Sequence, residues 1–251
     1  MCRCMKHSLT QGSNMESVNR LFADLVGTDP YTGVEITIAN CESAYWDEDM
    51  VPRLINQALD EGEKFVGAAG LDGLRRYDVT LNVGLSSSHI WPGFSLDPAT
   101  ISRLCASGAE FGFDPYISDV PEIECELNTT DDFTVHFSAM KNPDERTIIA
   151  KRPLRECASW IEDVYTLWVF REALKFHGDN SLRGFREKQA TLTYYCRNYS
   201  STNCADEGCR ACEDNCVRPS FSLSRSTIIR LNAANASFVY IPFTRSQKWR
   251  K

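Results

Sequence analysis

The chain has 251 residues, 43% of them hydrophobic and 24% charged, with a formal net charge of −7. These proportions belong to one large folded domain or two small ones, and they exclude a disordered chain, a collagen-like chain and a coiled coil. No apolar run reaches the roughly 18 residues of a membrane-spanning helix, and the strong basic segment of a general nucleic-acid binder is missing.

From the N-terminus, Cys2 and Cys4 stand in a segment without the apolar stretch of a secretory signal, so a cytoplasmic protein is expected. Ser13 and Glu16 form a capping box ahead of Val18, Leu21, Phe22 and Leu25, and Gly27 follows. This spacing predicts a helix over 15–26, an N-terminal helical extension within residues 1–32. Residues 34–39 alternate as a strand. Residues 41–50 hold Glu42, Asp47, Glu48 and Asp49 beside Tyr45 and Trp46. Such carboxylates can bind a cation or transfer protons, but a run like this more commonly opens a helix whose dipole favours it. Asp49 as a cap, Pro52 in the first turn and the stripe Val51, Leu54, Ile55, Ala58 predict a helix over 50–65. The glycines of residues 67–70 follow that helix, which is the wrong side for cradling a phosphate. Residues 77–85 read as a strand.

The next segment occurs twice. Residues 94–116 and 221–243 align without a gap at a spacing of 127, and eleven of 23 positions are identical, far more than shared local structure alone produces. Phe94/Phe221, Leu96/Leu223, Thr100/Thr227, Ile101/Ile228, Leu104/Leu231 and Phe111/Phe238 are among them. Asp97 and Ser224 stand at N-cap positions, and Pro98 falls at the first helical position of the first copy. Gly108 and Asn235 occupy the C-terminal position where a left-handed residue is wanted. Phe111 and Phe113, like Phe238 and Tyr240, then alternate as a strand. Each copy thus predicts helix, tight turn, strand, and the shared residues read as core and caps.

Residues 118–132 contain Pro121 and a polar tail, the expected boundary. Residues 122–128, 133–138, 146–151 and 190–196 are candidate strands. Residues 160–177 are expected to be a helix, with Ser159 and Glu162 as a capping box and Gly178 as its stop. The stripes Val164, Leu167, Trp168, Leu174 and Tyr165, Val169, Ala173, Phe176 predict burial on two sides. The fold class that follows is α+β, internally duplicated. Each half is a mostly antiparallel sheet with helices on one face, of the ferredoxin-like or split βαβ type. The halves are residues 33–118 and 119–251. Residues 1–125 carry 8 Lys/Arg against 19 Asp/Glu, and residues 126–251 carry 19 against 15, so an acidic half is joined to a mildly basic one. This suits solvated surfaces or docking of one half on the other.

The pattern F-x-L-[DS]-x-x-T-I-x-x-L, with its short strand ending near Asp114, Pro115 and Tyr116, resembles the C-terminal end of uncharacterised bacterial α/β domains, some found near immunity and contact-defence loci. The resemblance covers core positions only, and it implies an immunity-type role, blocking a partner protein.

Of the 11 cysteines, Cys196, Cys204, Cys209, Cys212 and Cys216 cluster around a polar loop at 197–219 that the first half lacks. Cys209-x-x-Cys212 is half of a tetrahedral zinc site that Cys204 and Cys216 would complete. Structural zinc, loop disulfides and free thiols all fit this spacing. Cys41, Cys105, Cys125 and Cys157 are isolated and read as small buried side chains. The chain carries no GxGxxG, Walker, HExxH or GxSxG pattern, and His7, His89, His136 and His177 share no motif. A binding module with a protein partner is therefore expected. Membrane contact is not expected and nucleic acid is disfavoured. The alternative is an enzyme or small-molecule binder using a cleft between the halves.

Overall fold

The computed structural model describes residues 20–44, 49–86, 93–116, 132–142, 145–154, 160–161, 163–177, 181–197 and 220–243. The first half runs β1 (Arg20–Thr28), β2 (Glu35–Ser43), α1 (Met50–Val66), β3 (Thr80–Ser86), β4 (Phe94–Leu96), α2 (Pro98–Ser107) and β5 (Glu110–Tyr116). The second runs β6 (Asp132–Asn142), β7 (Glu145–Leu154), β8 (Trp160–Ile161), α3 (Asp163–His177), β9 (Thr191–Arg197), β10 (Ser220–Leu223), α4 (Arg225–Ala234) and β11 (Ser237–Phe243). The fold is α+β, and both sheets are mixed.

Two findings correct the expected elements. Residues from Arg20 onward form a strand, not the end of a helix. Leu21 and Leu25 fit both helical and alternating spacing, with Phe22 on the helical stripe and Ala23 on the alternating one. Antiparallel partners on both sides, β2 and β3, select the alternation. In α3, Val164 is exposed while Val169, Phe170 and Ala173 are fully buried, so that end of the first apolar stripe faces outward. Trp160 and Ile161 belong to β8, which pairs with β10, and α3 begins at Asp163. The candidate strand 122–128, the capping box and the cysteine loop lie outside the described residues.

The six-stranded sheet has the order β2-β1-β3-β5-β10-β8, and the five-stranded sheet has the order β4-β11-β9-β6-β7. Neither is confined to one half. β10 pairs antiparallel with β5, and β4 pairs antiparallel with β11, so each half lends a strand to the sheet of the other. The two exchanges have corresponding registers. Leu223 faces Phe111 and Phe221 faces Phe113, while Leu96 faces Phe238 and Phe94 faces Tyr240. The crossovers β3–α2–β5 and β9–α4–β11 join directly adjacent parallel strands. A split βαβ unit would place a strand between them, which is where this sheet departs from the expected one.

The inner faces meet in one core. Phe94, Phe111, Phe113, Tyr194, Phe221, Phe238 and Tyr240 are all buried there. Phe94 touches Phe111 and Phe113 of the six-stranded sheet, and Phe238 and Tyr240 of its own. Phe221 does the same from the other side, against Phe113, Tyr194, Phe238 and Tyr240. Aromatic pairs of this geometry add about 0.5–1.5 kcal/mol each beyond area burial, so the exchange of strands is tied by its best-packed side chains.

Candidate functional site

The four cysteines proposed as metal ligands, Cys204, Cys209, Cys212 and Cys216, fall outside the described residues. So do Asp47, Glu48 and His89. Among the described residues, no group of three or more His, Cys, Asp or Glu side chains is placed to hold a metal ion. Cys41 is buried and Cys105 half-buried, both with free thiols. Burial pushes the Cys41 thiol up, with help from Glu61 and Asp24, as for a thiol packed in a core. Glu42, from the acidic run, pairs with Arg20.

What the backbone brings together are two outer sheet faces. On the six-stranded sheet, Leu21, Ala23, Leu25, Leu81, Val83, Leu85, Phe111 and Phe113 point inward. Strand alternation therefore turns Phe22, Asp24, Asn40, Glu42, Asn82, Gly84, Gly112 and Asp114 outward. The register lines them up across strands. Asn40 faces Asp24, Asp24 faces Asn82, Asn82 faces Gly112, and Gly112 faces Ser222. In the next row Glu42 faces Phe22, Phe22 faces Gly84, and Gly84 faces Asp114. Asn40, Glu42, Asn82 and Asp114 are exposed. Asn40 Nδ2 donates to Asp24 Oδ1 at 2.5 Å, and Ser220 Oγ donates to Asp114 Oδ1 at 2.5 Å. A Cβ at Gly84 would overlap the tip of the Phe22 ring, and one at Gly112 would meet Asn82 Oδ1 at 2.6 Å. A side chain at Gly84 would displace the Phe22 ring, and one at Gly112 would turn the Asn82 side chain aside. Among the described residues the face is mostly polar, with Phe22 at its middle, and carries Asp24, Glu42 and Asp114 against Arg20.

The corresponding face of the five-stranded sheet is chemically different. His136 faces Lys151 on one side and Thr193 on the other, and Thr193 faces Val239, which faces Ser95. Arg146 reaches over the next row and donates to Ser138 Oγ at 3.2 Å and Thr191 Oγ1 at 2.7 Å. The rings of His136 and Tyr195 lie 6.1 Å apart and nearly parallel. Burial and then Lys151 hold the imidazole below its ordinary value, so it is neutral near pH 7. Lys151 and Arg146 supply the charge of this face.

Sequence reading missed one repeated feature. Leu71-Asp72-Gly73-Leu74-Arg75 and Leu182-Arg183-Gly184-Phe185-Arg186 share the pattern L-x-G-[LF]-R. Both lie on short tight turns of helix ahead of β3 and β9. Arg75 Nε donates to the Ala106 carbonyl at 2.9 Å, and Arg186 Nε donates to that of Ala233 at 3.2 Å. A guanidinium thus covers the C-terminal carbonyls of α2 and of α4, where a cation is favoured. Asp78 and Gln189, which follow, are both left-handed, with φ of 49° and 44°. Comparing the halves further upstream would have exposed this motif.

Comparisons with protein-family models, with characterised proteins and with solved structures return no match for this chain.

Proposed function

We propose that the chain is an internally duplicated binding module that offers the open face of the six-stranded sheet to a basic protein surface. The observation that carries this reading is the contrast between inner and outer residues at corresponding positions. Inward residues are kept in kind: Phe94 and Phe221, Leu96 and Leu223, Phe111 and Phe238, Leu104 and Leu231. Outward residues diverge at several positions: Asp24 corresponds to His136, Asn40 to Lys151 and Gly112 to Val239, while Ser95 and Ser222 are kept. Sheet stability requires the first set and leaves the second free to be used for recognition. Acidic, exposed rows suit a basic partner by steering encounter and setting orientation. An immunity-type inhibitor, which blocks a partner by covering it, is the concrete form of this function.

The Cys204, Cys209, Cys212 and Cys216 set fits a structural zinc staple for a polar loop in this reading, because four thiolates leave no open position for catalysis. Elemental analysis of protein purified without added metal checks it. About one zinc per chain is expected, and less than about 0.2 excludes it.

The docking reading is tested with an oligolysine peptide as probe, by fluorescence anisotropy across a salt series. Binding is expected to weaken with salt, and to be lost in Asp24→Asn/Glu42→Gln/Asp114→Asn. Neutralising Glu61, Glu63 and Asp72, which lie around α1 and the turn after it, changes net charge equally and should leave binding unaltered. Equal loss in both variants would mean that the peptide senses only net charge, and the reading would fail.

A further inference from the structure

The two outer faces are built on corresponding backbone registers and carry opposite charge. On one, Asn40, Asp24 and Asn82 cross three neighbouring strands in a row. On the other, Lys151, His136 and Thr193 do so. The first row is flanked by Glu42 and Asp114, and the second by Arg146, whose guanidinium lies on the same face. Each face therefore presents donors and acceptors at the same interstrand spacing of about 4.8 Å. In charge, the basic face of another copy of this chain complements the acidic face.

We infer that the protein associates with itself head to tail, the acidic face of the six-stranded sheet in one copy docking on the Lys151–Arg146 face of the five-stranded sheet in the next. This deepens the docking reading by naming one partner for the acidic face, and it rests on that face being accessible. The interface is heterologous, because the two contributing surfaces differ, so each copy keeps one face unfilled after pairing and assembly continues unless a ring closes. Ile148, exposed on β7 beside this charge, adds apolar area at the rim of the basic face. Like-charged contacts are disfavoured: acidic on acidic would bring Asp24, Glu42 and Asp114 of two copies together. This disfavours the symmetric dimer through that face.

Salt separates the inference from ordinary colloidal behaviour. A chain of net charge −7 repels its copies at long range, so indifferent aggregation increases as salt screens that repulsion. Pairing of unlike faces must instead weaken as salt rises. The experiment is sedimentation equilibrium of the full chain over a concentration series in low and high salt, with two reversal variants whose fold is checked by circular dichroism. In Asp24→Lys/Asp114→Lys both faces are basic, and in Lys151→Glu the basic face is neutralised or reversed. Each variant alone is expected to stay monomeric at concentrations where the unaltered chain associates. An equimolar mixture of the two should associate again, because the basic face of the first meets the intact acidic face of the second. Should Asp24→Lys/Asp114→Lys fail to fold, Glu42→Lys/Asp114→Asn replaces it in the same mixture. A wild-type chain that is monomeric throughout in low salt, association that strengthens with salt, or a mixture that stays monomeric overturns the inference. Oligolysine binding that persists without self-association removes this inference alone. Loss of both removes the docking reading as well.

Discussion

Asp97 accepts a hydrogen bond from the Thr100 amide and Ser224 accepts one from the Thr227 amide, each at the first turn of a ten-residue helix. An orphan donor is satisfied at each site, so Asp97→Ala and Ser224→Ala should each cost about 1 kcal/mol in urea melts. His136 provides a second test at this scale. Its pKa is depressed from 6.5 by burial and by Lys151. On acidification the unfolded chain therefore takes up this proton before the folded one. The contribution is fully present above about pH 6.5 and is lost as pH falls from there through the lower folded value. Stability measured between pH 7.5 and 5 should decline, and the decline should be shallower in His136→Gln. An unchanged slope would assign the pH dependence to other groups.

Helices α2 and α4 show how much of an element a short sequence pattern carries. Proline or a polar cap opens each one, buried residues recur at helical spacing, and Gly108 or Asn235 closes it with φ of 68° or 49°. Leu104 and Leu231 are both fully buried. Leu104→Ala and Leu231→Ala should each cost about 2–5 kcal/mol, the ordinary range for a leucine cavity in a packed core. A neutral result at either position would mean that the helix had moved to fill the space. In α1 and β1 the same style of reading had different success. The stripe Val51, Leu54, Ile55, Ala58 was legible because the helix is amphipathic and its interior residues are fully buried. The spacing predicts a helix over 15–26 because Leu21 and Leu25 satisfy two periods at once. Hydrogen bonds to β2, across a short hairpin, and to β3, more than fifty positions further on, decide between these periods. The candidate site divides in the same way. The carboxylates were visible as composition, but the rows formed by Asp24, Asn40, Asn82 and Asp114 exist only once the register is set.

For the whole molecule, the reciprocal placing of β4 and β10 makes the core common to both halves. Phe94 belongs to the first half by sequence, yet its ring packs on Phe221, Phe238 and Tyr240 of the second. Phe94→Ala should therefore cost about 3–5 kcal/mol and lower hydrogen-exchange protection in both sheets together. Unfolding should remain a single transition. A biphasic melt, or protection lost from β3 and β5 alone, would show that the halves unfold independently.

By itself the sequence determined the local units: the capped helices, their left-handed stops, the alternating strands after them and the likeness of residues 94–116 to 221–243. These depend on neighbours within a few positions, through capping bonds, side-chain periodicity and backbone preference. Only the tertiary structure decided that residues 20–28 are a strand, that each half lends a strand to the other's sheet, and that the exchanged strands bury one aromatic cluster. It alone also set an acidic row and a basic row on corresponding faces. Those outcomes follow from hydrogen-bond pairing and packing between different strands, some joined by a short hairpin, as with Asp24 and Asn40, and others more than a hundred positions apart, as with Phe221 and Phe113, or Phe94 and Tyr240. No local preference encodes such a pairing, because an edge strand accepts any partner that presents matching backbone groups and buries its apolar side.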